Sequence, residues 1–480
     1  MPPLFFIGEK MKKQTENTLA VLATAFMSFV GILTETSLNV TFPAMMKQFN
    51  VSLDTIQWTT TGYLLMIAII MISSSYQNER FTAKQLFVTA AIAFMVGSII
   101  SAFALNFYIL LLGRLISALG VGLCTPMMFN LIVEVMPRDE WGLYMGIAGL
   151  VVAMAPTLGP AFGGSISYYL NWRWIFIIAT IFALLVFVAG IFVIGSYHPV
   201  KKKSFNWLAY AILSAGMVSL VIGVNQLSKG LKNWRLWVLL ILAAILFILF
   251  VRISKRSTSK LLDLSVFEDR AFIFGACAYF LLQFINIGVS FVLPNYIQIV
   301  NKQTSLIGGL VLLPGSIVAG LLNPYFGRLY DRLGAKVPLY GGAFLMALGS
   351  FLLANWGLSL TTWMIICFYG ILMLGHRMSF SNTMAQSLKI VDKNLKADAT
   401  AVCQTAQQLA GSMGTAILAA IMAVFQNKQT ESYAALTAQG SRIAFYFTFG
   451  LGILILVCDW FMFRLDKEKP TREESVTKDE

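Results

Sequence analysis

Charged side chains are scarce in this sequence: Asp, Glu, Lys and Arg make up 12% of its 480 residues. A soluble protein carries about 25%. Hydrophobic residues account for 58% of the chain, and a soluble globule of this length has too little interior to bury them all. The shortage of charge therefore excludes a soluble domain. It predicts a chain that lies in a lipid bilayer, where a spanning helix needs about 20 mostly apolar residues.

Histidine and cysteine are too few and too scattered for metal or disulfide chemistry. There are two histidines and five cysteines, and the cysteines all stand within apolar segments, at Cys124, Cys277, Cys367, Cys403 and Cys458. Neither their odd number nor their spacing matches a disulfide framework or a metal site. No G-x-x-x-x-G-K-[ST] loop for ATP occurs. We therefore expect no cofactor and no enzymatic activity.

The net charge of +13 raises the possibility of a nucleic-acid partner, which the positions of the charges argue against. Basic residues stand in short segments between apolar runs, whereas nucleic acid requires a basic face or stripe. The opening MPPLFFIGEKMKK is not expected to be a signal peptide, because its apolar stretch is short and precedes the lysines. The lipid bilayer is the expected partner.

Long apolar runs predict fourteen membrane-spanning helices. Their predicted ranges are 18–42, 55–76, 84–104, 107–132, 143–169, 173–195, 206–227, 235–253, 271–300, 305–328, 337–356, 360–385, 398–425 and 442–463. An even number of spans puts both termini on one side of the membrane. With the termini inside, the inner segments hold 25 Lys and Arg residues and the outer segments hold 8. Because basic residues concentrate in cytoplasmic loops, both termini are predicted to be cytoplasmic.

A repeated segment relates the two parts of the chain. GRLYDRLGAK, from Gly327 to Lys336, follows predicted helix 10, and SYQNERFTAK, from Ser75 to Lys84, follows predicted helix 2. The two segments are 252 residues apart. When they are aligned, helices 1–6 correspond to helices 9–14, and helices 7 and 8 are inserted between them. Parallel repeats of six helices are typical of one large class of transporters.

Five motifs then resemble the major facilitator superfamily, and in particular its fourteen-helix drug/proton antiporter branch. GRLYDRLGAK resembles the loop signature of the family, LLGRLISALGVGLCTP its helix-4 motif, and APTLGPAFGG the helix-5 motif of its proton-driven exporters. LTETSLNVTFP and ADATAVCQTAQQLAGSMGTA resemble helices 1 and 13 of the antiporter branch. The first loop motif departs from the pattern by lacking both glycines, and helix 1 has Glu35 where Asp is commoner.

The resemblance implies an all-α major facilitator fold with two six-helix bundles and two inserted helices. The corresponding ranges are an N-terminal cytoplasmic segment at 1–17, bundles at 18–195 and 271–463, inserted helices at 206–253, and a cytoplasmic tail at 464–480. It also implies a multi-pass plasma-membrane protein, expected to be monomeric, that exchanges protons for a small amphipathic substrate by alternating access.

Glu35 and Arg114 are the predicted proton-coupling pair. If helix 1 ends near Phe42 and helix 4 begins at Phe107, each charge lies seven residues, about 10 Å, from the outer end of its helix. Burial disfavours a charged carboxylate and a nearby arginine favours it, so Glu35 could bind and release a proton. The alternative is a static structural ion pair.

Polar side chains at helical spacing predict a substrate cavity. On helix 1 the stripe runs through Thr24, Ser28, Gly31, Glu35 and Asn39. The predicted cavity residues are Asn39, Tyr63, Met128, Tyr279, Gln283, Asn286, Gln404 and Gln408. Amphipathic ligands need an apolar pocket with a few orienting contacts. The alternative is hydrogen bonding between helices, which is common for such residues in membranes.

Two further groups of residues have predicted conformational roles. The helix-5 motif, expected to form a packing surface between the bundles, contains Pro156, Gly159, Pro160, Gly163 and Gly164. The loop motifs and the inner end of helix 4 supply predicted gating residues at Glu79, Arg80, Glu134, Gly327, Asp331 and Arg332. The alternative for the gating group is an ordinary solvated loop.

Three other polar residues lie in predicted spans. His376 and Arg377 stand in the middle of helix 12, where an arginine is costly, and Asp459 stands near the inner end of helix 14, where it is expected to reach the interface. No metal ligands are assigned.

The sequence favours a proton-coupled exporter of lipophilic drugs, cationic ones included. An exporter of a native metabolite, lipid or peptide is the closest alternative. A channel would need a continuous polar pore or a ring of like charges. A membrane enzyme would need a nucleophile–base or metal-ligand cluster. Neither pattern is present.

Overall fold

Fourteen helices in the described part of the chain are long and apolar enough to cross a membrane, as the sequence predicted. The structure, a computed structural model, describes residues 4–137, 140–195, 197, 204–257, 261–428 and 431–467, with side chains from residue 14 onwards and excepting that of residue 393. Helices 1 to 14 span Leu4–Phe49, Leu53–Ile72, Ala83–Ala102, Phe107–Val135, Trp141–Tyr169, Arg173–Val193, Trp207–Lys229, Trp234–Arg256, Arg270–Ile299, Ser305–Leu333, Lys336–Asn355, Thr362–Ile390, Lys396–Gln426 and Tyr433–Lys467.

Several of these helices contain a break or a different helix type. Helix 2 consists of Leu53–Ile56 and Trp58–Ile72, and helix 10 consists of Ser305–Leu310 and Leu313–Leu333. Helix 7 is α-helical over Trp207–Asn225 and ends in a 3₁₀ turn at Gln226–Lys229. Short helices connect other spans, at Ser74–Arg80, Leu264–Glu268 and Lys393–Leu395.

The predicted loop motifs are mostly helical, with only residues 81–82 and 334–335 between the helices, so the predicted extent of the loops is wrong. Helix 10 continues past residue 328 to Leu333, where Gly334 adopts a φ of 77°. Glycine enters this left-handed region readily and so terminates a helix. The intervening Arg, Leu, Tyr and Asp residues contain neither glycine nor proline, so the helix extends beyond its apolar part. The predicted tail also begins within helix 14, and its residues 468–480 lie outside the described residues.

Helix packing repeats between the two halves of the chain. Helix 1 packs on helices 4, 5 and 6, helix 2 on helix 4, and helix 3 on helices 4 and 6. In the second half, helix 9 packs on helices 12, 13 and 14, helix 10 on helix 12, and helix 11 on helices 12 and 14. Each pair in the first half has its counterpart eight helices later. This arrangement confirms two six-helix bundles related by the internal repeat.

The inserted helices 7 and 8 pack on each other and lie beside both bundles. On helix 7, Met217 and Val221 join a cluster with Leu65 and Ala68 of helix 2. Leu409 of helix 13 packs against the same cluster. Helix 8 exposes a row of apolar side chains, which suits contact with lipid. The inserted pair therefore covers a junction between the bundles.

The two bundles meet mainly along three helix pairs, which are helices 2 and 13, 5 and 10, and 1 and 9, with a smaller contact between helices 1 and 10. With fourteen antiparallel spans, the described chain ends share one side, here called the terminal side. Gly164 and Gly309 bring helices 5 and 10 into backbone contact towards the opposite side. Nearer the terminal side, a Cβ at Gly146 or Gly320 of the same two helices would meet nothing within 4 Å. The bundles are therefore sealed on the opposite side and separate along this pair towards the terminal side.

We expect Gly309→Leu to separate the bundles at the sealed end. A Cβ at position 309 would overlap the backbone carbonyl of Pro160, and backbone cannot move aside as a flexible side chain can. Helix axes separate by roughly 2 Å when larger side chains enter such a contact. The measurement is double electron–electron resonance between spin labels at Lys47→Cys and Gln303→Cys, in a variant without the native cysteines. The distance between the labels should be longer in Gly309→Leu than in the parent protein.

Gly320→Leu is the matched control because it changes the same helix at a position with open space around its Cβ. It should leave the label distance unchanged. Equal distances in Gly309→Leu and in the parent protein would contradict the role assigned to this contact.

Candidate functional site

The polar stripe of helix 1 is buried among other helices. Ser28 accepts a hydrogen bond from Thr125 Oγ1 of helix 4 at 3.2 Å, and Asn39 Oδ1 accepts one from Thr60 Oγ1 of helix 2 at 3.0 Å. Glu35 lies between them and is 3% exposed. Much of the stripe therefore holds the first bundle together, as the alternative interpretation of interhelical hydrogen bonding proposed.

The buried Arg114 guanidinium is stabilised by an aromatic ring and a backbone carbonyl. Its guanidinium carbon lies 3.6 Å from the centre of the Tyr63 ring, and its Nε donates a hydrogen bond to Thr59 O at 3.2 Å. The Phe176 ring lies at 5.9 Å. Desolvated cation–π contacts of this kind stabilise a buried charge appreciably. The Nη2 atom is buried without a hydrogen-bond partner among the described residues.

Glu35 and Arg114 are electrostatic neighbours without being a contact pair. A coulombic interaction joins the Glu35 carboxyl group and the Arg114 guanidinium. Within the described part of the chain, no nitrogen–oxygen contact of 4.0 Å or less joins them, and no hydrogen bond to the Glu35 carboxylate is present. Helix 1 ends at Phe49, so the predicted end near Phe42 is wrong. A static ion pair therefore does not describe this geometry.

A narrow central cavity of about 20 Å³ lies between the bundles in this conformation. Helices 1, 5, 9 and 12 line it with Thr36, Asn39, Pro156, Pro160, Asn286, Ile287, Ser290, Tyr369, Met373 and Arg377. Of the predicted cavity residues, Asn39 and Asn286 are in this lining. The cavity combines apolar walls with amide and hydroxyl groups, which is the composition expected of a small-molecule site.

Three other predicted cavity residues lie within packed regions instead. Tyr63 stacks on Arg114 and donates its hydroxyl to Gly31 O at 3.1 Å. Met128 is fully buried in the core of the first bundle. Tyr279 stacks on Phe380, with ring centres 4.4 Å apart. These residues follow the expected helical spacing, but spacing alone does not tell which neighbour a face meets.

The predicted glutamines of helices 9 and 13 are also absent from the cavity lining. Gln283 and Gln408 are each 8% exposed, and Gln404 is half-buried. The neighbouring Gln407 accepts the Tyr279 hydroxyl at 2.8 Å. No pattern in the sequence distinguished Gln407 from Gln404 or Gln408, since all three are glutamines on the same helix.

Helix 12 supplies cavity residues that were not predicted to line it. Tyr369, Met373 and Arg377 recur every four residues and so share one face of the helix. The Tyr369 hydroxyl lies 3.2 Å from Ser290 Oγ of helix 9. The mid-span position of Arg377 was the available sequence signal, because an intramembrane arginine usually faces a cavity or a partner.

The helix-5 motif contacts both helix 1 and helix 10. A Cβ at Gly159 would overlap the Thr36 side chain, and one at Gly163 would overlap the Ser37 backbone. Ser37 Oγ also donates a hydrogen bond to Gly159 O at 2.9 Å. On the other face, Ser305 Oγ donates to Gly164 O at 3.2 Å. The predicted surface between the bundles is therefore one face of this helix, and the second face packs within the first bundle.

The predicted gating residues lie on helices at the terminal side; Glu134 is at the inner end of helix 4 as predicted, and the assignment of the others to loops is wrong. Glu79 and Arg80 end the helix Ser74–Arg80, and Glu134 lies in the last turn of helix 4. Gly327, Asp331 and Arg332 belong to the last two turns of helix 10. Asp331 and Arg332 are exposed, while Glu79 and Glu134 each interact with another residue.

Two buried polar residues of the second bundle lie outside the cavity lining. Asp459 is fully buried, and neither carboxylate oxygen has a hydrogen-bond partner among the described residues. The expectation that it reaches the interface is wrong, because the neighbouring helices 9 and 11 cover this part of helix 14. His376 stacks on Phe380 at 4.8 Å between ring centres. Both its nitrogens are buried without partners in the described part of the chain.

A cavity between two repeated six-helix bundles, with a buried charge pair beside it, defines a secondary membrane transporter. The Major Facilitator Superfamily model matches residues 24–415. The chain belongs to the major facilitator superfamily.

Similarity to individual proteins extends over nearly the whole chain. The lincomycin resistance protein LmrB of Bacillus subtilis is 32% identical over 469 residues, which cover 95% of this chain and 98% of LmrB. The multidrug resistance protein B homolog of Mycobacterium tuberculosis strain CDC 1551 / Oshkosh is 27% identical, covering 76% and 69%. The crystal structure of a bacterial homologue of the human lysosomal transporter Spinster shares the fold, with a TM-score of 0.69 and 14% identity, covering 95% and 99%.

We expect Arg114→Lys to destabilise the first bundle by about 2 kcal/mol, because lysine loses both the stacked guanidinium and the Nε hydrogen bond. Tyr63→Phe keeps the ring and loses only the hydroxyl contact with Gly31, for about 1 kcal/mol. Thermal unfolding in detergent should therefore give a lower midpoint for Arg114→Lys than for Tyr63→Phe. The reverse order would show that the guanidinium contacts stabilise the bundle less than the Tyr63 hydroxyl does.

Proposed function

We propose that this protein is a proton-coupled exporter of amphipathic drugs, and that Glu35 carries the proton. The observation behind this proposal is a buried carboxylate that senses Arg114 without contacting it. A carboxylate in hydrocarbon is stable when it is paired, when it faces a cavity, or when it is neutral. Glu35 has no direct ion pair in the described part of the chain, so a proton is the simplest means of neutralising it.

The position of Glu35 links its protonation to the substrate cavity. The next residue, Thr36, lines the cavity, and a Cβ on Gly159 of helix 5 would overlap its side chain. A charged Glu35 is drawn towards Arg114, whereas a protonated Glu35 is not. Proton binding therefore changes the forces on the segment of helix 1 that contacts both the cavity and helix 5.

Transport would proceed by alternating access of the two bundles to the two sides of the membrane. The excess of basic residues in the inner segments supports a cytoplasmic terminal side, and with that orientation the present conformation is the inward-facing one. A cytoplasmic substrate then enters from the open side. Outward release, driven by protons moving inwards across the plasma membrane, completes the exchange in a protein that acts as a monomer.

The drug substrate is supported by the relatives named for lincomycin and multidrug resistance. The composition of the cavity also suits an amphipathic molecule. A native metabolite, lipid or peptide is the second candidate, because the same cavity would accept its apolar part. No group of three or more His, Cys, Asp or Glu that could hold a metal occurs in the described residues.

Proton-driven transport in proteoliposomes tests the proposal. With lincomycin as substrate and an imposed proton gradient, wild-type protein should accumulate drug against its concentration gradient. Glu35→Gln should lose this uphill transport, so that the accumulation ratio falls to about one, while downhill exchange persists. Substrate is still bound, but the proton site is missing.

Glu268→Gln is the matched control, since it neutralises an exposed carboxylate outside the spanning helices. It should pump as the wild type does. Uphill transport that persists in Glu35→Gln would remove Glu35 from the coupling mechanism. Transport of a cellular metabolite, with none of lincomycin or other toxic amphiphiles, would favour the second candidate.

A further inference from the structure

We propose that Arg377 binds an anionic group of the substrate, so that the central cavity prefers amphiphiles carrying a carboxylate, sulfonate or phosphate. This inference rests on the proposed function, because it assigns the substrate class of the same cavity. Arg377 is not part of the proposed proton-coupling pair of Glu35 and Arg114.

The guanidinium of Arg377 has no acceptor within the described part of the chain. Its Nε is buried without a hydrogen-bond partner, and neither a hydrogen bond nor an ion pair of this side chain is present there. Its electrostatic neighbours are Tyr369 and His376, and neither is a carboxylate. An isolated charge away from water is costly unless it is paired and hydrogen-bonded. A bound anion would supply that pairing.

The cavity around Arg377 has the groups that would complete an anion site. Its lining contains no Asp or Glu, and it presents the amides of Asn39 and Asn286 with the hydroxyls of Ser290 and Tyr369. These amides and hydroxyls can donate hydrogen bonds. Arginine offers a planar fork that matches carboxylate, sulfonate and phosphate oxygens in a two-point contact. Apolar walls remain at Ile287 and Met373 for the rest of the ligand.

Glu35 does not compensate the charge of Arg377. The electrostatic interactions of Arg377 in the described residues do not include Glu35, whereas those of Arg114 do. The two intramembrane arginines thus have different roles: Arg114 accompanies the proton site, and the partly buried Arg377 faces the ligand. A cationic ligand group would meet repulsion from Arg377 in this lining.

A matched series of ligands tests this assignment. The probes are 1-naphthaleneacetate, 2-(1-naphthyl)ethanol and 2-(1-naphthyl)ethylammonium, which share an apolar body and differ in the head group. Naphthalene fluorescence is titrated with the full-length protein in lipid nanodiscs, and signal from empty nanodiscs is subtracted. Wild type should bind the carboxylate about tenfold more tightly than the alcohol, and the ammonium most weakly.

Arg377→Met should bind the alcohol as wild type does and lose the preference for the carboxylate. Arg377→Lys should keep part of that preference, since it retains the charge without the fork. Arg442→Met is the matched control: Arg442 also has a buried Nε without a partner in the described residues, but it lies outside the cavity lining. It should retain the full preference.

Equal affinities of wild type for the three probes, or tighter binding of the ammonium, would overturn the inference whatever the variants do. A preference retained in Arg377→Met would overturn it as well. Proton-driven lincomycin transport separates this inference from the proposed function. Uphill lincomycin transport without a preference for the carboxylate probe would refute only the role of Arg377. A preference for the carboxylate probe without uphill transport would refute only the proposed exporter function.

Discussion

Positive charge held within the hydrocarbon region is the constraint on which this structure depends. Arg114 has no directly bonded carboxylate in the described residues, and the ring of Tyr63 and the carbonyl of Thr59 stabilise it instead. Both groups belong to helix 2, so the charge fixes helix 4 against helix 2. Because this arrangement leaves Glu35 without an ion-pair partner among the described residues, the carboxylate is available for the proposed proton. The contacts of one arginine thus link the packing of helices 2 and 4 to the proposed chemistry of Glu35.

Three successive residues of helix 1 connect that charge to the contact between the bundles. Glu35 senses Arg114, Thr36 lines the cavity, and Ser37 donates a hydrogen bond to the Gly159 carbonyl of helix 5. Helix 5 in turn meets helix 10 through Gly164. Close packing transmits displacement because interiors have little free volume. The proposed proton site, the cavity and the sealed end are therefore joined by direct contacts within a short segment.

The spans, their order and the internal repeat were predictable from the sequence, because apolar length and loop charge are imposed by the bilayer itself. Helix ends were less predictable: helix 10 leaves the apolar region and continues until Gly334 terminates it. The cavity was predicted in part. Spacing identified Asn39 and Asn286, but it also selected Tyr63 and Met128, which face packed neighbours. Helical periodicity gives the polar face of each helix, and only the docking of helices decides whether that face meets a cavity.

The inserted helices add a further consequence for the energetics of the exchange. Helix 7 packs against Leu65 of helix 2 and Leu409 of helix 13 in one apolar cluster, so it contacts both bundles at a junction between them. Any relative rotation of the bundles must shear this cluster or carry helix 7 with one partner. Helix 8, which packs on helix 7, presents its apolar surface outwards. The thickness and tension of the surrounding lipid are therefore expected to influence the equilibrium between the inward-facing and outward-facing conformations.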